Sequence, residues 1–165
     1  MPAPAVPTPT PGHLPGVDWL AYHDDLSGFS FQHPLTWQQR DTGGYPVVFA
    51  LPAAPGTNLI EKTVEINVRQ SPGDCRQSTY GALLGSENVR LNGTDYLRET
   101  GSGIAAGNIY DWTSYSTTHS GKCITVTFVL HSSSSGVYAT EPAAFDRAAE
   151  SEIFDELLNT FRFDP

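Results

Sequence analysis

The residues best suited to chemistry near neutral pH are the five histidines, His13, His23, His33, His119 and His131. Their spacing gives neither an HxH nor an HExxH pattern. The densest polar group is His23-Asp24-Asp25, one imidazole beside two carboxylates, with His33 within reach across a hairpin. His23, Asp24 and Asp25 are therefore the metal candidates, since nitrogen and hard oxygen donors suit a divalent cation. The competing reading is structural, because aspartates in a turn bond backbone amides. It is the reading adopted, and no metal is expected. Serines are abundant, but no GxSxG elbow presents one as a nucleophile. Gly101-Ser102-Gly103-Ile104-Ala105-Ala106-Gly107 reads as a small-residue loop. It lacks a following Lys-Ser/Thr pair and leads into a strand, so it is not a phosphate cradle. No catalytic residue and no cofactor are assigned.

The two cysteines, Cys75 and Cys123, form no CxxC and no cluster with histidine, which argues against zinc. A disulfide and two buried thiols are the readings left. The disulfide is favoured because it agrees with an extracytoplasmic location, and a bridged pair excludes thiolate chemistry. Trp19, Trp37, Trp112, Tyr96, Tyr110 and Tyr115 offer a lining for a carbohydrate or peptide groove. Core packing with polar tips at the surface is the favoured alternative.

These residues need elements to hold them. From Phe145 to Phe163 apolar residues recur every three and four positions, which predicts an amphipathic helix over about 143–159. Thr140 is the expected cap, with Pro142 in the first turn. Asp146, Glu150, Glu152, Asp155 and Glu156 fall on its wetter side. Thr160-Phe161-Arg162-Phe163 alternates and reads as an exit into a short terminal strand. Such a helix needs a sheet to bury its apolar face. Strands are expected at 17–22, 29–32, 47–51, 63–69, 88–91, 95–99, 108–118 and 122–131, and the segment 74–84 is left between short helix and irregular chain. In 108–118 Tyr110 and Trp112 face one side, Ile109 and Tyr115 the other. Asn92-Gly93 is a hairpin turn, because both residues tolerate positive φ. With Thr94 it is also a glycosylation sequon, which matters only in a eukaryotic secretory setting. Strands followed by a helix indicate an α+β fold with an antiparallel sheet.

Composition limits the partners. The chain has 165 residues and a net charge of −9, with two lysines, Lys62 and Lys122. Phosphate recognition needs clustered Lys and Arg, so nucleic acid is not expected as a partner, nor is an anionic membrane surface. No apolar run reaches the ~20 residues that span a bilayer. The opening MPAPAVPTPTPGHLPG is Pro-rich and favours extended polyproline geometry. Residues 1–16 are expected to be a linker or stalk that followed a removed signal or lipid-anchor segment, and 17–165 a single domain. Any membrane association is expected only through that removed anchor.

Three segments, taken together in their order, resemble a known family. Gly28 to Trp37, GFSFQHPLTW, is similar to the opening signature of PsbP-like domains, with His33 where Tyr is common. Phe154 to Phe163, FDELLNTFRF, is similar to their closing signature. Asn92-Gly93 and the stretch Gly107-Asn108-Ile109-Tyr110-Asp111-Trp112 resemble their central hairpin and long strand. The resemblance spans 19–163. It implies the Mog1/PsbP-like fold, an α/β/α sandwich around a central antiparallel sheet with a long C-terminal helix. Photosynthetic members of the family are non-enzymatic lumenal subunits of photosystem II, and many bacterial ones are secreted proteins or lipoproteins. The chain resembles the second group. Photosystem docking residues and metal ligands have no motif here to match.

The function expected is a non-catalytic, extracytoplasmic protein-binding domain, secreted or anchored to the cell envelope. One alternative is a structural subunit of a surface assembly or filament whose Pro-rich arm docks on a neighbour. The other is a small hydrolase or ligand-binding protein.

Overall fold

A computed structural model describes residues 16–70, 73–77, 81–136 and 138–165. The expected stalk therefore lies outside the described residues, apart from Gly16. Nine strands precede one helix and a last short strand. They are β1 (Trp19–Asp24), β2 (Phe29–Pro34), β3 (Gln38–Arg40), β4 (Val47–Leu51), β5 (Leu59–Gln70), β6 (Ala82–Leu91), β7 (Thr94–Ala105), β8 (Asn108–His119), β9 (Lys122–Ser133), α1 (Arg147–Thr160) and β10 (Arg162–Phe163).

A seven-stranded sheet runs β3-β4-β5-β9-β8-β7-β6, and a three-stranded sheet runs β1-β2-β10. Every strand pairing is antiparallel. Three tight hairpins build the large sheet's right half. Their turns place Asn92-Gly93, Ala106-Gly107 and Ser120-Gly121 at positive φ, the geometry whose twist matches paired strands.

The alternation of β5 and β9 sets the core. Val64, Ile66, Ile124, Val126, Phe128 and Leu130 face one side and are buried. Against this face lie α1, through Phe154, Leu157 and Leu158, and the small sheet, through Phe29 and Phe31. Phe161, at the helix exit, stacks on Phe29 with ring centroids 5.4 Å apart. Thus the helix and the small sheet share one layer over the large sheet, and the described residues contain one helix.

Several expected boundaries move. The helix starts at Arg147, not near 143, and Asp146 rather than Thr140 caps it. Asp146 Oδ1 accepts from the amides of Ala148 (3.0 Å) and Ala149 (3.2 Å), satisfying two otherwise orphan donors. Ala143 is instead held in a bridge to Thr57. Glu150 is not on the wet side. It is buried, with Oε2 2.6 Å from Lys62 Nζ and Oε1 accepting from the Ala54 amide at 3.1 Å. At the far end, Asn92 Nδ2 donates to the Leu158 carbonyl at 2.9 Å, so a turn residue closes the helix terminus. Residues 101–105 are not loop but the end of β7. Gly101 is there because the Trp112 ring lies across it; a Cβ would sit 2.2 Å from Trp112 Cζ2. Residues 82–84 of the unassigned segment belong to β6.

Candidate functional site

The metal candidates His23, Asp24 and Asp25 do not form one ligand set, because Asp24 points into the fold. His23 Nε2 lies 3.0 Å from Asp25 Oδ1 and 3.6 Å from Asp164 Oδ2, all on exposed side chains. Asp24 is committed to the fold: Oδ1 accepts from the Ser27 amide at 2.7 Å and Oδ2 from the Tyr45 hydroxyl at 2.7 Å. His33 is at the other end of the hairpin, since His23 pairs with Ser30 and His33 with Leu20. It is buried, and stacks on Trp37 at 5.8 Å. Among the described residues no group of three metal-binding side chains exists. Cys75 and Cys123 are bridged, with sulfurs 2.07 Å apart. The bridge ties 73–77 to the face of the large sheet opposite the helix, where the Gln77 amide donates to buried Glu99 at 3.2 Å.

A concavity of about 670 Å³ lies elsewhere, between α1 and strands β7 and β8. α1 covers the centre of the sheet but not its β6 side, and this uncovered corner is the groove. Its floor is apolar. Phe128 stacks on Phe154 at 4.8 Å, and Tyr115 tilts against Phe154 at 5.9 Å. Thr100 and Thr113, paired across β7 and β8, add hydroxyls. Four charged residues rim it: Arg98 from β7, Asp111 from β8, and Arg147 and Asp155 from α1. Leu84 of β6 closes the open side, tipped there by the bulge between Leu83 and Gly85.

Most of these charges are engaged. Arg98 donates to the Tyr115 hydroxyl at 3.1 Å and to Glu87 Oε1 at 2.7 Å. Burial opposes its charge, but those two partners outweigh burial and raise its pKa. Arg147 donates to Asp111, whose carboxylate is buried in the groove wall. Asp155 differs. It is exposed by area yet crowded by protein on one side, and this desolvation raises its carboxyl pKa. Arg98 acts in the opposite direction and Glu152 adds to the rise. Among the described residues Asp155 makes no ion pair. The groove lining contains no histidine and no cysteine.

Of the aromatics singled out in the sequence, Tyr115 faces the groove, Trp112 borders it from β8 with its ring across Gly101 on the other face, and Trp37 and Tyr96 are buried in the core or beside it. Leu84, Arg98 and Arg147 carried no motif, and Asp111 and Asp155 lie within the family-like stretches without a role attached to them. One signal was present: Asp111 falls on the same side of β8 as Tyr115, a charge at a core-facing position of a half-buried strand.

No protein-family model matches the chain, and no curated protein matches it. Solved structures do. The chain is similar to cyanobacterial PsbP (CyanoP) from Synechocystis sp. PCC 6803, with TM-score 0.56 and 20% identity over 92% of this chain and 98% of that one. A Bacteroides thetaiotaomicron VPI-5482 structure matches with TM-score 0.56 and 14% identity over 88% of this chain, which spans 48% of that one. LpqN of Mycobacterium tuberculosis, described as involved in cell envelope biogenesis, matches with TM-score 0.50 and 11% identity over 91% and 92% of the two chains. At these identities the likeness concerns the fold, and the fold is PsbP-like.

Proposed function

We propose that this PsbP-like chain is a non-catalytic, extracytoplasmic protein-binding domain that docks its partner in the groove between α1 and strands β7 and β8. The observation that carries the reading is the groove itself. It has an aromatic floor, a rim of charges and hydroxyls, and no histidine or cysteine in its lining. Aromatic floors inside polar rims are the composition of protein interfaces. General acid–base catalysis needs a titrating group placed against a nucleophile or a reacting proton. Here three of the four rim charges, Arg98, Arg147 and Asp111, are held by partner side chains, and only Asp155 is without an ion pair among the described residues. The disulfide supports an extracytoplasmic setting, where such bonds persist. The cell-envelope role stated for LpqN agrees with that location.

The test is capture from envelope extracts of the native source. A chain blocked by Thr100→Arg and Ser151→Arg is compared with wild type and with Gln38→Arg, an exposed change on the opposite edge of the sheet. The proposal expects a partner retained by wild type and the control but lost by the blocked chain. Equal capture by all three contradicts it.

A further inference from the structure

The groove opens onto a strand edge, and resting on the reading above we propose that the partner enters as an extended segment that adds to β6 as an eighth strand, its basic and apolar side chains alternating. Among the described residues β6 ends the seven-stranded sheet and pairs on one side only, with β7. Its free side carries backbone N–H and C=O groups aimed outward, a template for another strand. Natural edges are blunted against this, and here the blunting is uneven. The opposite edge strand, β3, is three residues long. The second half of β6 carries ion pairs, Arg90–Asp95 at 2.8 Å and Glu87–Arg98 at 2.7 Å. The first half, Ala82 to Ser86, carries no charge and is exposed at every residue. Beside it stand exposed apolar side chains: Leu83 at 51%, Leu84 at 70% and Ile104 at 76%. Concentrated exposed apolar area of this kind marks interaction sites.

Charge selects the occupant. The groove's ready cation acceptor is Asp155, since Asp111 is taken by Arg147 and Glu87 by Arg98. The whole chain carries −9, a field that favours a basic segment. Side chains of an added strand alternate between faces. One set would therefore lie along Leu84, Ile104 and the groove, where a lysine or arginine meets Asp155, while the other meets Leu83 on the opposite face.

The test titrates the isotope-labelled full chain with a synthetic decapeptide of alternating valine and lysine, followed by amide NMR. The expected result is saturable shifts and slowed amide exchange over Ala82–Leu91 and the groove, at a dissociation constant at or below about 1 mM. Methylating alternate peptide amides should weaken binding about tenfold or more, because ladder bonds are lost. Asp155→Asn, or glutamate in place of the peptide's lysines, should weaken it about tenfold through the lost charge-assisted bond. Shifts elsewhere, no saturable shift on β6, or binding indifferent to amide methylation would each overturn strand addition. Concentration-dependent β6 shifts without peptide would overturn it in favour of a second copy on the edge. A partner that depends on the groove in the capture experiment, with the β6 amides left unprotected, would sink this inference alone and leave the docking groove standing.

Discussion

At the scale of single residues, side chains with the same chemistry have been given different tasks by their surroundings. Asp24, Asp111 and Asp155 are all aspartates. The first holds a turn and a tyrosine, the second anchors Arg147, and the third stands in the groove with its charged form disfavoured. A raised carboxyl pKa means that the folded chain keeps its proton to higher pH than the unfolded one. That contribution to stability is full below the ordinary carboxylate pKa and fades as pH rises through the folded value. Asp155→Asn should therefore raise the melting temperature slightly at pH 7, by at most about 0.5 kcal/mol of stability for so exposed a group. The gain should vanish near pH 3. Thermal melts of both chains across pH 3–8 check this, and a lowered melting point at pH 7 would show that Asp155 serves the fold. The turn role of Asp24 was legible, since aspartates in a turn bond backbone amides and Asp24 accepts from the Ser27 amide, but the tasks of Asp111 and Asp155 were not. His23-Asp24-Asp25 looked like a cluster because the residues are adjacent, but strand alternation sends neighbours to opposite faces. Arg98 and Asp155 are 57 residues apart in numbering and meet only through the fold.

At the scale of elements, α1 is fixed by three devices rather than by its apolar stripe alone. Its start is capped by Asp146, its first turn is pinned by the buried Glu150–Lys62 pair, and its end is closed by Asn92. Asp146→Ala should cost about 1 kcal/mol, read from a denaturant midpoint. Glu150→Ala should cost more, roughly 3–5 kcal/mol, because Lys62 is left as an uncompensated buried charge. Replacing both, Lys62→Met with Glu150→Leu, should recover most of that loss. A double variant as unstable as Glu150→Ala would show that the pair's charges, not its packing, hold the helix. The apolar period revealed the helix, and Leu157, fully buried, sits where that period placed it. The cap was misplaced because Thr140 and Asp146 both suit the role, and the choice fell to Ala143 pairing with Thr57. Glu150 was misread because its partner lies 88 residues away. Strand cores were legible from alternation. Strand ends were not, as in β7, where Gly101 to Ala105 reads as loop by composition and is held as strand by β8 and Trp112.

At the scale of the whole molecule, one large sheet has two unlike faces. One is covered by the helix and the small sheet. The other carries the disulfide, with buried hydroxyls such as Ser114 and Thr127 bonded at 3.0 Å. The bridge joins residues 48 apart in sequence and should contribute about 4 kcal/mol. Melts with and without reductant, paired with mass measurement, should show that loss on reduction; an unchanged melting point would show that the clasp is dispensable. The order of strands and helix was readable from the sequence, and the likeness to solved PsbP-like structures agrees with it. The groove was not readable, because it exists where α1 stops short of covering β6 to β8, a consequence of where layers end. The most direct test of the account places a photo-crosslinking amino acid at Ser151, inside the groove, or at Gln38, on the far edge, in cells of the native source. A discrete cross-linked species from position 151 alone is the predicted result. The same species from position 38, or from neither, would contradict a docking groove between α1 and the sheet.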